Sequence, residues 1–247
     1  MIVRAYDKLR GHKEHLIHKG EAGKYLRSIV LGGLDGLITT FAVVTGVAGA
    51  SLSWAIIIIL GVANLLADGI SMSVGNYLAT KSEIEYNMSE KKREEEENVM
   101  YPKKEKKEMI HFYIKRGMKK TDAIKVVNIL FRNKNVWMSE MMKEEFGITE
   151  REHNEPIKNA AVTFISFVGF GSIPLISYVF ADVLKIAQID AFGVAAGLTF
   201  SSIFALGAAK VFLTGRNWLK SGLEMLFVGG AAAASAYYVG YLLAFLA

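Results

Sequence analysis

The sequence predicts an all-α integral membrane protein with five transmembrane helices and a helical domain inserted after the second. Three observations carry this. Of 247 residues, 52% are apolar while 21% are charged, and mean hydropathy is +0.28, too apolar for an average soluble domain and too charged for a chain lying wholly in lipid. The two kinds of residue are separated along the chain, and five nearly uncharged runs each reach the length that crosses a bilayer as a helix, about 20 residues. No stretch shows the apolar/polar alternation of a strand.

Taken in order, residues 1–27 hold seven Lys/Arg and three Asp/Glu. They have no apolar core and no cleavage-like site, so they are expected to form a short amphipathic helix on the membrane surface rather than a signal peptide. His12, His15 and His18 recur at spacing three, which on a helix reads as a solvated face before a metal site. Membrane helices 1 and 2 occupy 28–80: Ser28–Leu52 contains one charge, Asp35, and Trp54–Thr80 contains one, Asp68.

Residues 81–158 carry 18 basic and 16 acidic residues, a soluble and nearly neutral composition. Punctuation divides them into helices: Glu83–Met100, stopped near Pro102; Lys103–Arg116, ended by Gly117; a third from Thr121 as N-cap to Asn133; and Val136–Phe146 before Gly147. Membrane helices 3 to 5 fill 159–247. Asn159–Ala181 and Ala191–Ala209 have no charge, and Ser221–Ala247 has only Glu224.

Lys/Arg in the short connections sets the orientation. The turn at Ser51–Ser53 is uncharged and the 182–190 loop has one Lys against two Asp. The basic N-terminus, the inserted domain and the loop with Arg216 and Lys220 therefore fall on the cytoplasmic side, and five spans put Ala247 outside. The net charge of +5 is spread through these segments and is not read as a nucleic-acid surface.

Several chemistries are excluded. No cysteine is present, which removes disulfides, thiolate metal sites and cysteine nucleophiles. No GxxxxGK[ST], GxSxG or HExxH occurs, so no enzyme is indicated and uphill transport would draw on an ion gradient. The informative residues lie in the spans, where an ionisable group costs roughly 2.5–3.5 kcal/mol and marks function. At 1.5 Å per residue, Asp35 and Asp68 are each roughly 10–18 Å from the cytoplasmic ends of their helices. Each is followed by a glycine, Gly36 and Gly69, permitting close helix contact or a local break. Asn64, Asp68 and Met72 share one face at spacing four. Carboxylate, amide and thioether together suit a path for a soft divalent cation.

In the inserted domain, Glu94/Glu97 and Glu105/Glu108 are i,i+3 pairs, and Met141, Met142 and Glu145 form a third set; seven of ten methionines fall between 88 and 142. Such carboxylate–thioether donors bind Fe²⁺ or Mn²⁺, and also Co²⁺ or Zn²⁺. A rival constellation is the ExxH pair of ferritin-like di-iron bundles, Glu108…His111 and Glu150…His153. The second lies between Gly147 and Pro156, a poor place for a long bundle helix.

The runs Gly32-Gly33-Leu34-Asp35-Gly36-Leu37, Ala67-Asp68-Gly69-Ile70-Ser71-Met72 with Gly75-Asn76-Tyr77-Leu78, and Met141-Met142-Lys143-Glu144-Glu145-Phe146 resemble the vacuolar iron transporter family, and the resemblance runs from about Gly20 to Ala247. It implies proton-coupled export of Fe²⁺, and often Mn²⁺, from the cytoplasm by a homodimer with the ion path between the copies. The membrane would be vacuolar in a eukaryote and the cell membrane in a prokaryote. By position it makes Asp35 the first-span transport aspartate and Met72 the second-span methionine. Glu94, Glu97, Glu105, Glu108, Glu145, Met141 and Met142 become the cytoplasmic metal ligands. Two positions depart from the family pattern: Asn64 and Lys24 stand where plant members carry glutamate, leaving Asp68 to supply a carboxylate one turn from Met72.

Overall fold

The computed structural model describes the backbone of residues 2–148, 155–184, 188–209 and 217–243, and the side chains of 25–148, 155–180, 191–209 and 217–243. Among these residues every regular element is a helix: α1 Ile2–Gly49, α2 Trp54–Met100, α3 Pro102–Lys115, α4 Lys120–Leu130, α5 Lys134–Phe146, α6 Pro156–Gly171, α7 Ile173–Leu184, α8 Gln188–Ala209 and α9 Trp218–Leu243. The chain forms two compact units, one from residues up to Tyr77 and from Ile157 on, the other from Leu78 to Pro156.

In the first unit four helical stretches are long and apolar enough to cross a membrane, within α1, α2, α8 and α9, and α6 with α7 meets the same test as a bent pair. Its core joins Phe41 and Val44 of α1, Ile57 and Leu65 of α2, Phe167 of α6, Leu175 and Tyr178 of α7, and Ala195 of α8. The helix after Asp35 stays unbroken. Gly36 serves close approach: a methyl there would overlap the backbone carbonyl of Phe167, and one on Gly32 would meet that of Thr163. At one end of the unit, Asn76 of α2 donates to Thr163 Oγ1 at 2.7 Å and Ser73 Oγ donates to the Ala160 carbonyl at 2.9 Å, tying α2 to α6.

Two expectations are corrected here. The N-terminal helix does not end before the first span; α1 is one helix through both. The third span is not a single helix, because α6 and α7 meet at Ser172 with a 40° bend. Pro174 has no N–H to give to the preceding turn and its ring crowds the carbonyl four residues back. At the bend the Val168 carbonyl accepts from both the Ser172 N–H, at 3.0 Å, and Ser172 Oγ, at 2.6 Å. An apolar run alone does not register a proline-driven break.

The second unit contains the end of α2 and α3 to α5. Pro102 starts α3, and Gly117 closes its end at φ +96°, a conformation that suits glycine. Thr121 is not a cap. Lys119 is extended and its carbonyl accepts from the Asp122 and Ala123 N–H groups, so α4 begins one residue before the threonine. Asn133 caps α5 through Oδ1 to the Val136 N–H, and Gly147 ends it in the left-handed conformation at φ +69°. Met109, Val127, Trp137 and Met141 form the core.

Candidate metal site

Three helices of the second unit each contribute one carboxylate to a single point. Glu94 from α2, Glu105 from α3 and Glu145 from α5 place one oxygen each within 4.8 Å of one another. Glu94 is 2% exposed and Glu105 1%, whereas Glu145 is on the surface, so the cluster is buried on two sides and open on the third. The sequence positions them through helix register. Glu94 follows the long α2 past Thr80; the Tyr101–Pro102 break folds α3 back, and Glu97 and Glu105 both reach Lys104.

Buried like charges cannot all remain ionised. Burial, reinforced by Glu145 and Glu105, pushes Glu94 up to about 8. One Glu94 oxygen is fully buried with no hydrogen-bond partner. Glu145 is raised as well, by burial and then by Glu108 and Glu105. The geometry fits a divalent cation: three carboxylates converge, one of them keeps a buried oxygen without a partner, and the Glu145 side is open for entry.

The remaining predicted ligands fall into two groups. Glu97 and Glu108 stand at the rim, 3.3 and 3.7 Å from Lys104 Nζ, which also lies 3.4 Å from Glu105. Met141 is in the hydrophobic core with Met109 and Trp137, and Met142 is buried on the same helix as Glu145. Met141 packs there as a gap-filling thioether does. Glu108 and His111 line a cavity of about 350 Å³ with Glu145. The other half of the ferritin-like pair, Glu150 and His153, lies outside the described residues, as do the side chains of His12, His15, His18 and Lys24. Lys104 is the residue sequence reasoning missed; within a run of lysines nothing distinguishes it.

In the membrane-helix unit, Asp35 and Asp68 are within electrostatic range of each other. Asn64, Asp68, Met72 and Asn76 are all half-buried, the shared face that spacing four requires. Met72 packs against the main core, and the Asn64 amide nitrogen is buried without a partner. Asp35 lines a cavity of about 370 Å³ whose described walls, from Arg27 to Ile38, all come from α1.

A family model described as the VIT family matches residues 26–241. The chain belongs to the VIT family. It is 38% identical over 244 residues to a protein of Toxoplasma gondii named vacuolar iron transporter, covering 96% of this chain and 80% of the relative. A vacuolar iron transporter of Plasmodium berghei is 37% identical, covering 96% and 88%. Vacuolar iron transporter 1 of Arabidopsis thaliana is 34% identical over 216 residues, covering 87% and 85%. Members of the family thus span apicomplexans and plants at similar identity.

Proposed function

We propose that this VIT-family chain carries Fe²⁺ across a membrane out of the cytoplasm in exchange for protons, and transforms no substrate. One observation carries the reading. In a chain with membrane-length helices, three carboxylates from three helices converge within 4.8 Å, and the relatives are named for iron. Glu94, Glu105 and Glu145 capture the ion from the cytoplasm, with Glu97 and Glu108 feeding them from the rim and Met142 adding a soft donor. Oxygen donors of this kind accept Mn²⁺ as well, and Co²⁺ or Zn²⁺.

Asp35, Asp68 and Met72 form the path through the bilayer. Two aspartates within electrostatic range of each other offer a cation two negative charges inside the bilayer, where an unpaired charge is costly. A homodimer supplies the second wall. Beside the Asn64–Asp68–Met72 face, α2 exposes Ala63, Ala67, Ser71, Gly75 and Ala79 at spacing four, flanked by exposed Leu66, Ile70 and Val74. Small residues at this spacing let two helix backbones approach closely in lipid. The N-terminus and the inserted unit lie in the cytoplasm, as the distribution of Lys/Arg favours, and the membrane is vacuolar or the cell's own according to the organism.

The test is Mn²⁺ binding to the full chain in detergent, alongside oxygen consumption on adding Fe²⁺. Loss of binding in Glu94→Gln and Glu105→Gln, with no oxygen consumed by wild type, supports capture for transport. Oxygen consumption that depends on His111 would replace it with a ferritin-like oxidase.

A further inference from the structure

Lys104 pairs with one of the three cluster acids, Glu105, and with both rim acids, Glu97 and Glu108. Its ammonium nitrogen is 3.3 Å from Glu97, 3.4 Å from Glu105 and 3.7 Å from Glu108. It is the cation shared by three carboxylates at the mouth of the cluster, and Glu105 is 1% exposed beneath it. These separations exceed the 2.7–2.9 Å usual for a charge-assisted hydrogen bond, so the lysine is shared loosely among its partners. The side chain itself is 53% exposed, and a four-carbon stem lets an ammonium leave such a position for water at small cost. Glu94, by contrast, keeps a buried oxygen that no group satisfies.

From this we infer that Lys104 is a built-in competitor of the transported metal: a tethered monovalent cation that holds the carboxylates together without metal and must swing out for a divalent ion to bind. The inference rests on the capture role proposed for Glu94, Glu105 and Glu145. Its consequence is a threshold. A divalent ion gains enough from three carboxylates to displace one ammonium, whereas a monovalent ion does not, and at low metal concentration the lysine keeps the site closed. The same ammonium neutralises carboxylates that would otherwise repel one another across the α2–α3 contact.

A purely structural lysine and a competing one predict opposite signs for one substitution. If Lys104 only orders the site, Lys104→Gln loosens the ligands and weakens metal binding. If it competes, Lys104→Gln tightens Mn²⁺ binding by the full chain in detergent, by about ten- to a hundredfold, the usual range for coupling between two ligands. Thermal stability in chelator falls in the same variant. Lys104→Arg, which keeps the charge, stays near wild type. A second measurement uses unaltered protein: acylation of Lys104, followed by mass spectrometry, becomes faster on adding Mn²⁺ because the amine is released. Unchanged or weaker Mn²⁺ binding by Lys104→Gln overturns the competitor role, as does protection of Lys104 by metal. Absence of Mn²⁺ binding in wild type and Lys104→Gln alike overturns the capture site itself, and this role with it.

Discussion

Asp35 and Asp68 are the only charges in two apolar runs of 25 and 27 residues, while Glu94, Glu105 and Glu145 are three acids among 16 in a segment with 18 basic residues. The first pair is conspicuous in the sequence, and the structure brings its two carboxylates, one on α1 and one on α2, within electrostatic range. The second set is inconspicuous in the sequence and becomes a site only when three helices fold. The contrast teaches that solvent decides what makes a carboxylate informative. In lipid, its presence alone is costly enough to demand a reason. In a charged helical unit, only burial and convergence separate a ligand from a solvated face, and both are tertiary properties.

We propose conduction for the aspartates and capture for the glutamates, a division that substitutions can test. The largest expected effect is Asp35→Asn, which takes Fe²⁺ flux in proteoliposomes to background and leaves Mn²⁺ binding by the inserted unit intact; Asp68→Asn weakens or uncouples flux. Next, Glu94→Gln with Glu105→Gln lowers Mn²⁺ affinity by at least about tenfold, 1.4 kcal/mol, read by calorimetry, without unfolding the membrane helices.

A third effect concerns pH. Glu94 is raised from 4.5 to about 8, so the folded unit keeps a proton that the unfolded chain releases. That contribution to stability is fully present below 4.5 and is lost as pH rises through 8. Metal-free protein should therefore melt at higher temperature at pH 5.5 than at pH 8.5, as far as this group governs it. Metal binding runs the opposite way and tightens with pH, because the ion must displace the proton. Melting curves in chelator check this, and Glu94→Gln should flatten the dependence. The smallest effect is Met72→Leu, which preserves volume in the core and removes one soft donor: flux falls a few-fold, with destabilisation under about 1.5 kcal/mol.

The sequence made the architecture legible where covalent chemistry dictates it. Apolar length placed the membrane helices, Pro102 and Gly117 bounded α3, and Gly147 ended α5. It failed where hydropathy was blind to a local break, where a cap had more than one candidate, and where burial decided. Ser172 and Pro174 lie inside an uncharged run, so the α6–α7 bend left no mark on hydropathy. Thr121 has the chemistry of a cap, but Lys119 is the extended residue that precedes α4, which starts at Lys120. The i,i+3 pairing of Glu94 with Glu97 and of Glu105 with Glu108 fixed shared faces without telling which member points inward. Burial of Glu94 and Glu105, and the position of Lys104 between the rim acids, emerge only from packing.

Metal leaves the cytoplasm in exchange for protons in the mechanism we propose. This exchange is tested most directly by wild-type protein in vesicles with an acidic interior, with Fe²⁺ added outside and internal iron and internal pH recorded together. Iron should enter only while the interior is acidic, and the interior should become more alkaline as it does. Uptake that proceeds equally without the pH gradient, or iron entry with no change in internal pH, would contradict it.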